Sequence, residues 1–150
     1  MQLLLASHSY VLANTRGKAR ELGKQIDLTL LVPNRWRFDL LEAVAEPEAD
    51  APFDLVTSPV RFAGRNIRYW YSFGTLTRTL RRTRPRIVLV EEEPTSAALA
   101  QFSLLKRQFG YRLFFFTWEN IYWRPRLARG VEWMNLRAAA GAIAGSQEAA

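Results

Sequence analysis

Three apolar runs in this chain each end in a cluster of polar side chains suited to binding or chemistry. Gln2–Ala6 leads into Ser7, His8, Ser9 and Tyr10. Ile87–Val90 leads into Glu91, Glu92 and Glu93. Leu113–Phe116 leads into Thr117, Trp118, Glu119 and Asn120. A carboxylate accepts two hydroxyl hydrogen bonds, and an amide both donates and accepts, so Glu119 and Asn120 suit sugar hydroxyls or a place facing a reacting carbon. The three glutamates suit acceptor hydroxyls or an acceptor amine. They repel one another, so some must find cations or water. In extended chain Glu91 and Glu93 would point one way and Glu92 the other. His8 suits a phosphate or a sugar. Each of these readings has a plainer competitor: a turn cap for Glu119 and Asn120, a helix N-terminus that favours acids for the glutamates, and a solvated loop for His8.

The elements around the clusters tell where they must sit. A run apolar at every position is buried on both faces, as in a parallel sheet covered by helices. Ligands of such sheets bind beyond the carboxyl ends of the strands. After the first strand, Ser7–Thr15 reads as a polar loop. Asn14 or Thr15 would cap an amphipathic helix from Arg16 to Lys24, and Asn14, Thr15 and Arg16 would close the same cleft. Asp27–Val32 is a second strand, stopped by Pro33. Residues 33–52 read as an irregular surface excursion. Phe53–Thr57 and Ile67–Tyr71 read as strands, and the segment around Leu76 and Leu80 as a basic helix ending near Arg84-Pro85. A helix with Pro94 in its first turn carries Ala98, Phe102, Leu105 and Phe109 on one face and stops at Gly110. Leu127–Arg137 is helical, and Ala142–Ala144 is a last short strand. This alternation predicts an α/β fold: one Rossmann-like parallel sheet with helices on both faces.

The chain of 150 residues is long enough for one domain, and 49% apolar content argues against disorder. It has no cysteine, and His8 is the only histidine. Disulfides and cysteine-based metal sites are thereby excluded, and no metal site is expected. There is no signal peptide and no apolar run long enough to span a membrane, so the expected location is the cytoplasm. Net charge is +7. Residues 61–86 carry Arg61, Arg65, Arg68, Arg78, Arg81, Arg82, Arg84 and Arg86 and no acid, which leaves the rest near neutrality. With Tyr69, Trp70, Tyr71 and Phe73 among them, these arginines have a membrane-surface composition, with Arg78, Arg81 and Arg82 at its centre. A solvated basic face and, less favoured, a nucleic-acid surface use the same ingredients. Trp118, Tyr122 and Trp123 suit a sugar face or a partner domain, although core packing is the preferred reading of Trp118.

Taken together, VPNRW after the second strand, VEEEP, FFTWENIY and AIAGSQEA resemble, in order and spacing, the N-terminal domain of family 4 glycosyltransferases. The resemblance covers essentially the whole chain and lies in the four segments together. It implies half of a GT-B fold, in which two Rossmann-like domains face each other across a cleft and a sugar moves with retention from a nucleotide-diphosphate donor. It implies that this half binds the acceptor, a glycan or a lipid-linked molecule, without any cofactor beyond the donor substrate. Glu119 is then the candidate catalytic residue, counted from the matching threonine to a place where many members have a histidine. His8, Ser9, Tyr10, Arg16, Glu91, Glu92, Glu93 and Asn120 are the candidate substrate-binding residues. The first loop has no glycine before Gly17, where many members have a pair. No two glutamates are separated by the seven residues of the family's donor-side pair. Ser146 reads as the cap of a helix cut short at Ala150. The expectation is therefore a domain truncated at its C-terminus, without its donor-binding half, inactive alone, and peripheral at the inner face of the plasma membrane. The competing expectation is a non-catalytic, flavodoxin-like module that binds a glycan, a nucleotide or an anionic surface.

Overall fold

The computed structural model describes residues 1–39, 41–118 and 126–145. In chain order the strands are β1 (Gln2–Ala6), β2 (Asp27–Pro33), β3 (Arg35–Arg37), β4 (Glu42–Val44), β5 (Asp54–Ser58), β6 (Val60–Arg61), β7 (Trp70–Tyr71), β8 (Ile87–Val90), β9 (Arg112–Thr117) and β10 (Gly141–Ala144). The helices are α1 (Gly17–Gly23), α2 (Phe73–Thr83), α3 (Ala97–Phe109) and α4 (Arg126–Ala138). Six strands form one parallel sheet in the order β10-β9-β8-β1-β2-β5. This is the Rossmann-like α/β architecture expected from the alternation of elements.

The core explains why these segments hold. Leu4, Leu5, Leu30, Leu31, Val88 and Val90 fill the central strands and are buried. Ala19 of α1, Leu76 and Leu80 of α2, and Ala98, Leu99 and Phe102 of α3 close over them. Each large apolar side chain removed from water in this way contributes roughly 1.5–3 kcal/mol. Burial on both faces holds for β1 and β8. It holds only partly for β9, where Phe114 and Phe116 are half-buried. The neighbouring edge strand β10 is itself largely exposed, so that end of the sheet has less cover.

Several local expectations change. Neither Asn14 nor Thr15 caps α1. The Thr15 hydroxyl instead donates to the carbonyls of Ser9 and Leu12, which closes two 3₁₀ turns, His8–Tyr10 and Ala13–Thr15. Residues 33–52 are not wholly irregular: β3 and β4 pair as an antiparallel hairpin at the carboxyl end of β2. Of Ile67–Tyr71 only β7 is strand, paired with β6. Helix α3 begins after Pro94, with the Ser96 hydroxyl accepting from the Leu99 amide at 3.1 Å. The serine satisfies one of the first-turn N–H groups that a helix cannot pair internally. Asn135 of α4 is buried against this corner. It accepts from the Ser103 hydroxyl and donates to the carbonyls of Pro94 and Ser96. Gly110 ends α3 in the left-handed region, as expected. Tyr122, Trp123 and the cap at Ser146 lie outside the described residues. No described helix is long and apolar enough to cross a membrane.

Candidate functional site

Strand order reverses between β1 and β8. β1 pairs with β2 on one side and with β8 on the other. The connections leaving the carboxyl ends of β1 and β8 therefore diverge and open a crevice, the usual ligand site of an open parallel sheet. Ala6 is in register with Val90. Ser7-His8 and Glu91-Glu92 consequently emerge side by side, although they are 84 residues apart in sequence.

Ser7 shapes the first rim. It is buried, and its hydroxyl oxygen accepts from the Ser9 amide at 3.1 Å. This fixes the 3₁₀ turn that carries His8. On the other rim the chain bends at Glu92. The bend sends the three glutamates to three different partners, so Glu91 and Glu93 do not serve one common surface. Glu91 pairs with Lys18 of α1 and also lies against the Tyr10 phenol. Burial, and then Glu91, push Tyr10 well above its ordinary value. Glu93 accepts from the Thr117 hydroxyl and from the Trp118 amide at 3.0 Å, tying β8 to β9.

Glu92 lies deepest, with its side chain 3% exposed. A buried carboxylate is costly unless donors converge on it. Here they do. Its Oε1 lies 2.6 Å from His8 Nδ1 and 2.5 Å from the Tyr69 hydroxyl, with the His8 amide at 3.4 Å. Tyr69 is fully buried. Burial, then its neighbours Tyr71 and Glu92, hold its phenol well above the ordinary value, so it remains a neutral donor. The His8 ring stacks on Trp36 with centroids 4.5 Å apart, and Trp36 meets Tyr69 edge-on at 4.8 Å. The ring of His8 is held by stacking on one face and by a carboxylate at Nδ1.

A cleft of about 550 Å³ opens over this cluster. His8, Trp36, Arg37, Phe38, Asp39, Leu41, Gly64 and Asn66 line it. The hairpin β3-β4 supplies one wall and the turn after β6 the other. Gly64 is required there: its φ is +85°, and a Cβ would stand 2.6 Å from the Arg37 carbonyl oxygen. Only a residue without a side chain lets the two walls approach so closely.

The structure separates the remaining sequence candidates. Ser9 is exposed on the rim, while Tyr10 points into the protein. Arg16 does not close the cleft over a ligand. It is fully buried and donates to the carbonyls of Tyr10, Val11 and Glu46 and to the Glu48 carboxylate. The irregular stretches on either side of it have backbone oxygens to satisfy, and its planar fork meets several at once. Glu119 and Asn120 lie outside the described residues. Trp118 is 62% exposed and touches Phe116 edge-on, so it is not a core residue; the chain has left the sheet by that point. Tyr69 and Tyr71, grouped by sequence with the membrane-facing aromatics, are buried, whereas Trp70 and Phe73 are exposed. Phe38, Asp39 and Asn66 join the site without having been singled out, and Trp36 had entered only as the last residue of VPNRW. The alternation Arg35-Trp36-Arg37, with charge on both sides of one ring, was the signal available. Among the described residues no group of three His, Asp or Glu side chains is placed to hold a metal. Comparison of the chain with family models, curated proteins and solved structures finds no match.

Proposed function

We propose that this chain is the acceptor-side domain of a glycosyltransferase, binding a polyhydroxylated acceptor in the cleft beyond β1 and β8. The observation that carries the reading is the make-up of that cleft. Its aromatic and apolar members, Phe38 and Leu41, offer surfaces for the C–H faces of a sugar ring. Its polar members, His8, Asp39, Asn66 and Arg37, offer both acceptors and donors for hydroxyls. The resemblance of the four sequence segments to family 4 glycosyltransferases supports the same reading. It adds a nucleotide-diphosphate sugar as donor, a second domain to hold it, and retention of configuration. Glu119 and Asn120 remain the candidates for contact with the transferred sugar.

The test is a titration of the folded chain with monosaccharides and short glycans, followed through backbone amide resonances. Binding should move Trp36, Asp39 and Asn66, and Asp39→Asn should weaken it about tenfold or more, the effect of one hydrogen bond to a charged group. Absence of any saturable response across the panel would reject an acceptor site in this cleft.

A further inference from the structure

The His8–Glu92 pair gives the cleft a polarity. Glu92 Oε1 also receives the Tyr69 hydroxyl, which is a donor because its phenol is neutral. The backbone amide of His8 points at the same oxygen. An oxygen surrounded by donors leaves His8 Nδ1 the role of donor too. In a neutral imidazole one nitrogen donates and the other accepts, and the bond made by the first fixes the second. With the ring neutral, Nε2 carries a lone pair. Among the described residues no hydrogen bond reaches it, and the ring lines the cleft.

We propose that His8 Nε2 is a specificity-determining acceptor that takes a hydrogen bond from a ligand hydroxyl, with Glu92 as its positioning residue. The cleft would thus select sugars with a free hydroxyl at this point and refuse the same sugar with that oxygen methylated. The proposal rests on the acceptor reading above and narrows it to one contact of fixed direction. The stack on Trp36 and the short Glu92 contact together hold the ring before any ligand arrives, so little ordering is needed on binding.

Because His8 is the only histidine, its two ring nitrogens can be followed without overlap. The experiment records imidazole ¹⁵N spectra of the protein at neutral pH, alone and with glucose, mannose, galactose and N-acetylglucosamine, and then with their permethylated forms. The expected result is the Nδ1–H tautomer in the free protein, an Nε2 shift with at least one free sugar, and none with its methylated form. His8→Phe, which keeps a ring on Trp36, should weaken that sugar about three- to tenfold, the span of one ordinary hydrogen bond. Glu92→Gln should release the tautomer. If that variant fails to fold, Tyr69→Phe serves as the second probe and should keep the Nδ1–H form, since the carboxylate remains. A proton on Nε2, in the other tautomer or in an imidazolium, overturns the proposal. So does a sugar that moves the Trp36 and Asp39 amides but not Nε2, and in both cases the acceptor reading stands. No sugar response anywhere overturns the acceptor reading and this proposal with it.

Discussion

Arg16 and Glu48 show how differently two charged residues of the same region work. Arg16 is buried and joins the turn after β1 to residues 46–48 through a fork of hydrogen bonds. A lysine keeps the charge but cannot reach several carbonyls in that geometry. Arg16→Lys should therefore lower stability by about 3 kcal/mol, the scale of a broken buried polar network, as a shift in the urea midpoint. It should leave sugar binding by the folded protein unchanged, which separates its structural role from ligand contact. Glu48 is held below the usual carboxylate range, first by the hydrogen bond from Arg20 and then by Arg16, against the opposing effect of burial. A folded-state value below the unfolded one stabilises the protein above about pH 4.3 and ceases to do so as pH falls through the folded value. Glu48→Gln should be less stable than the parent at neutral pH, and the gap should close on acidification. Thermal unfolding of both proteins at several pH values measures this, and a gap that does not change with pH would contradict it.

At the scale of elements, α2 carries the consequence of the basic segment. Its buried side holds Leu76, Thr79 and Leu80, and its outer side presents Arg78, Arg81 and Arg82. At its start, Phe73 and the preceding Trp70 are exposed and meet edge-on at 6.5 Å. The eight arginines do not form one patch. Arg61, Arg65 and Arg68 lie near the β6-β7 pair above the carboxyl ends of the sheet, whereas Arg84 and Arg86 sit at its amino end, before β8. Arg82 is also paired with Asp54 at 2.5 Å, while among the described residues Arg78 and Arg81 make no ion pair. An anionic leaflet would attract α2 by on the order of 1 kcal/mol per basic residue, screened over about 8 Å at physiological salt. Replacing Arg78, Arg81 and Arg82 by glutamine should weaken cosedimentation with anionic vesicles, and Arg78 and Arg81 should account for most of the loss. Equal binding to anionic and neutral vesicles, or none, would leave α2 as a solvated basic face.

At the scale of the molecule, the proposed acceptor site would be only part of what sugar transfer requires. The 150 residues contain no glutamate pair of the donor-side spacing, and the turn after β1 has no glycine to let a diphosphate approach the backbone. The chain by itself should therefore bind sugars without transferring them. A radiolabelled nucleotide-sugar panel with glycan and lipid-linked acceptors checks this, and turnover by the chain alone would refute the division into acceptor and donor halves.

Hydrophobic pattern determined the main alternation of strands and helices, the parallel sheet, and the placing of the His8 and Glu91–Glu93 clusters at strand ends. These are consequences of short-range periodicity and of burying apolar runs on both faces. The division of labour within the clusters was decided only by tertiary structure. Nothing local to Glu91-Glu92-Glu93 says that the middle carboxylate is buried and the outer two face α1 and β9. That follows from the bend after β8 and from what packs around it. Arg16 reads in sequence as a helix-start residue that closes the cleft and binds substrate, yet the returning segment 46–48 turns it into a buried cross-link. Trp36 and Tyr69 meet because the hairpin after β2 and the loop before β7 converge on His8. His8 and Glu92 are brought together by the register Ala6 with Val90 across 84 positions, a contact that no sequence spacing encodes because backbone pairing between two distant strands creates it.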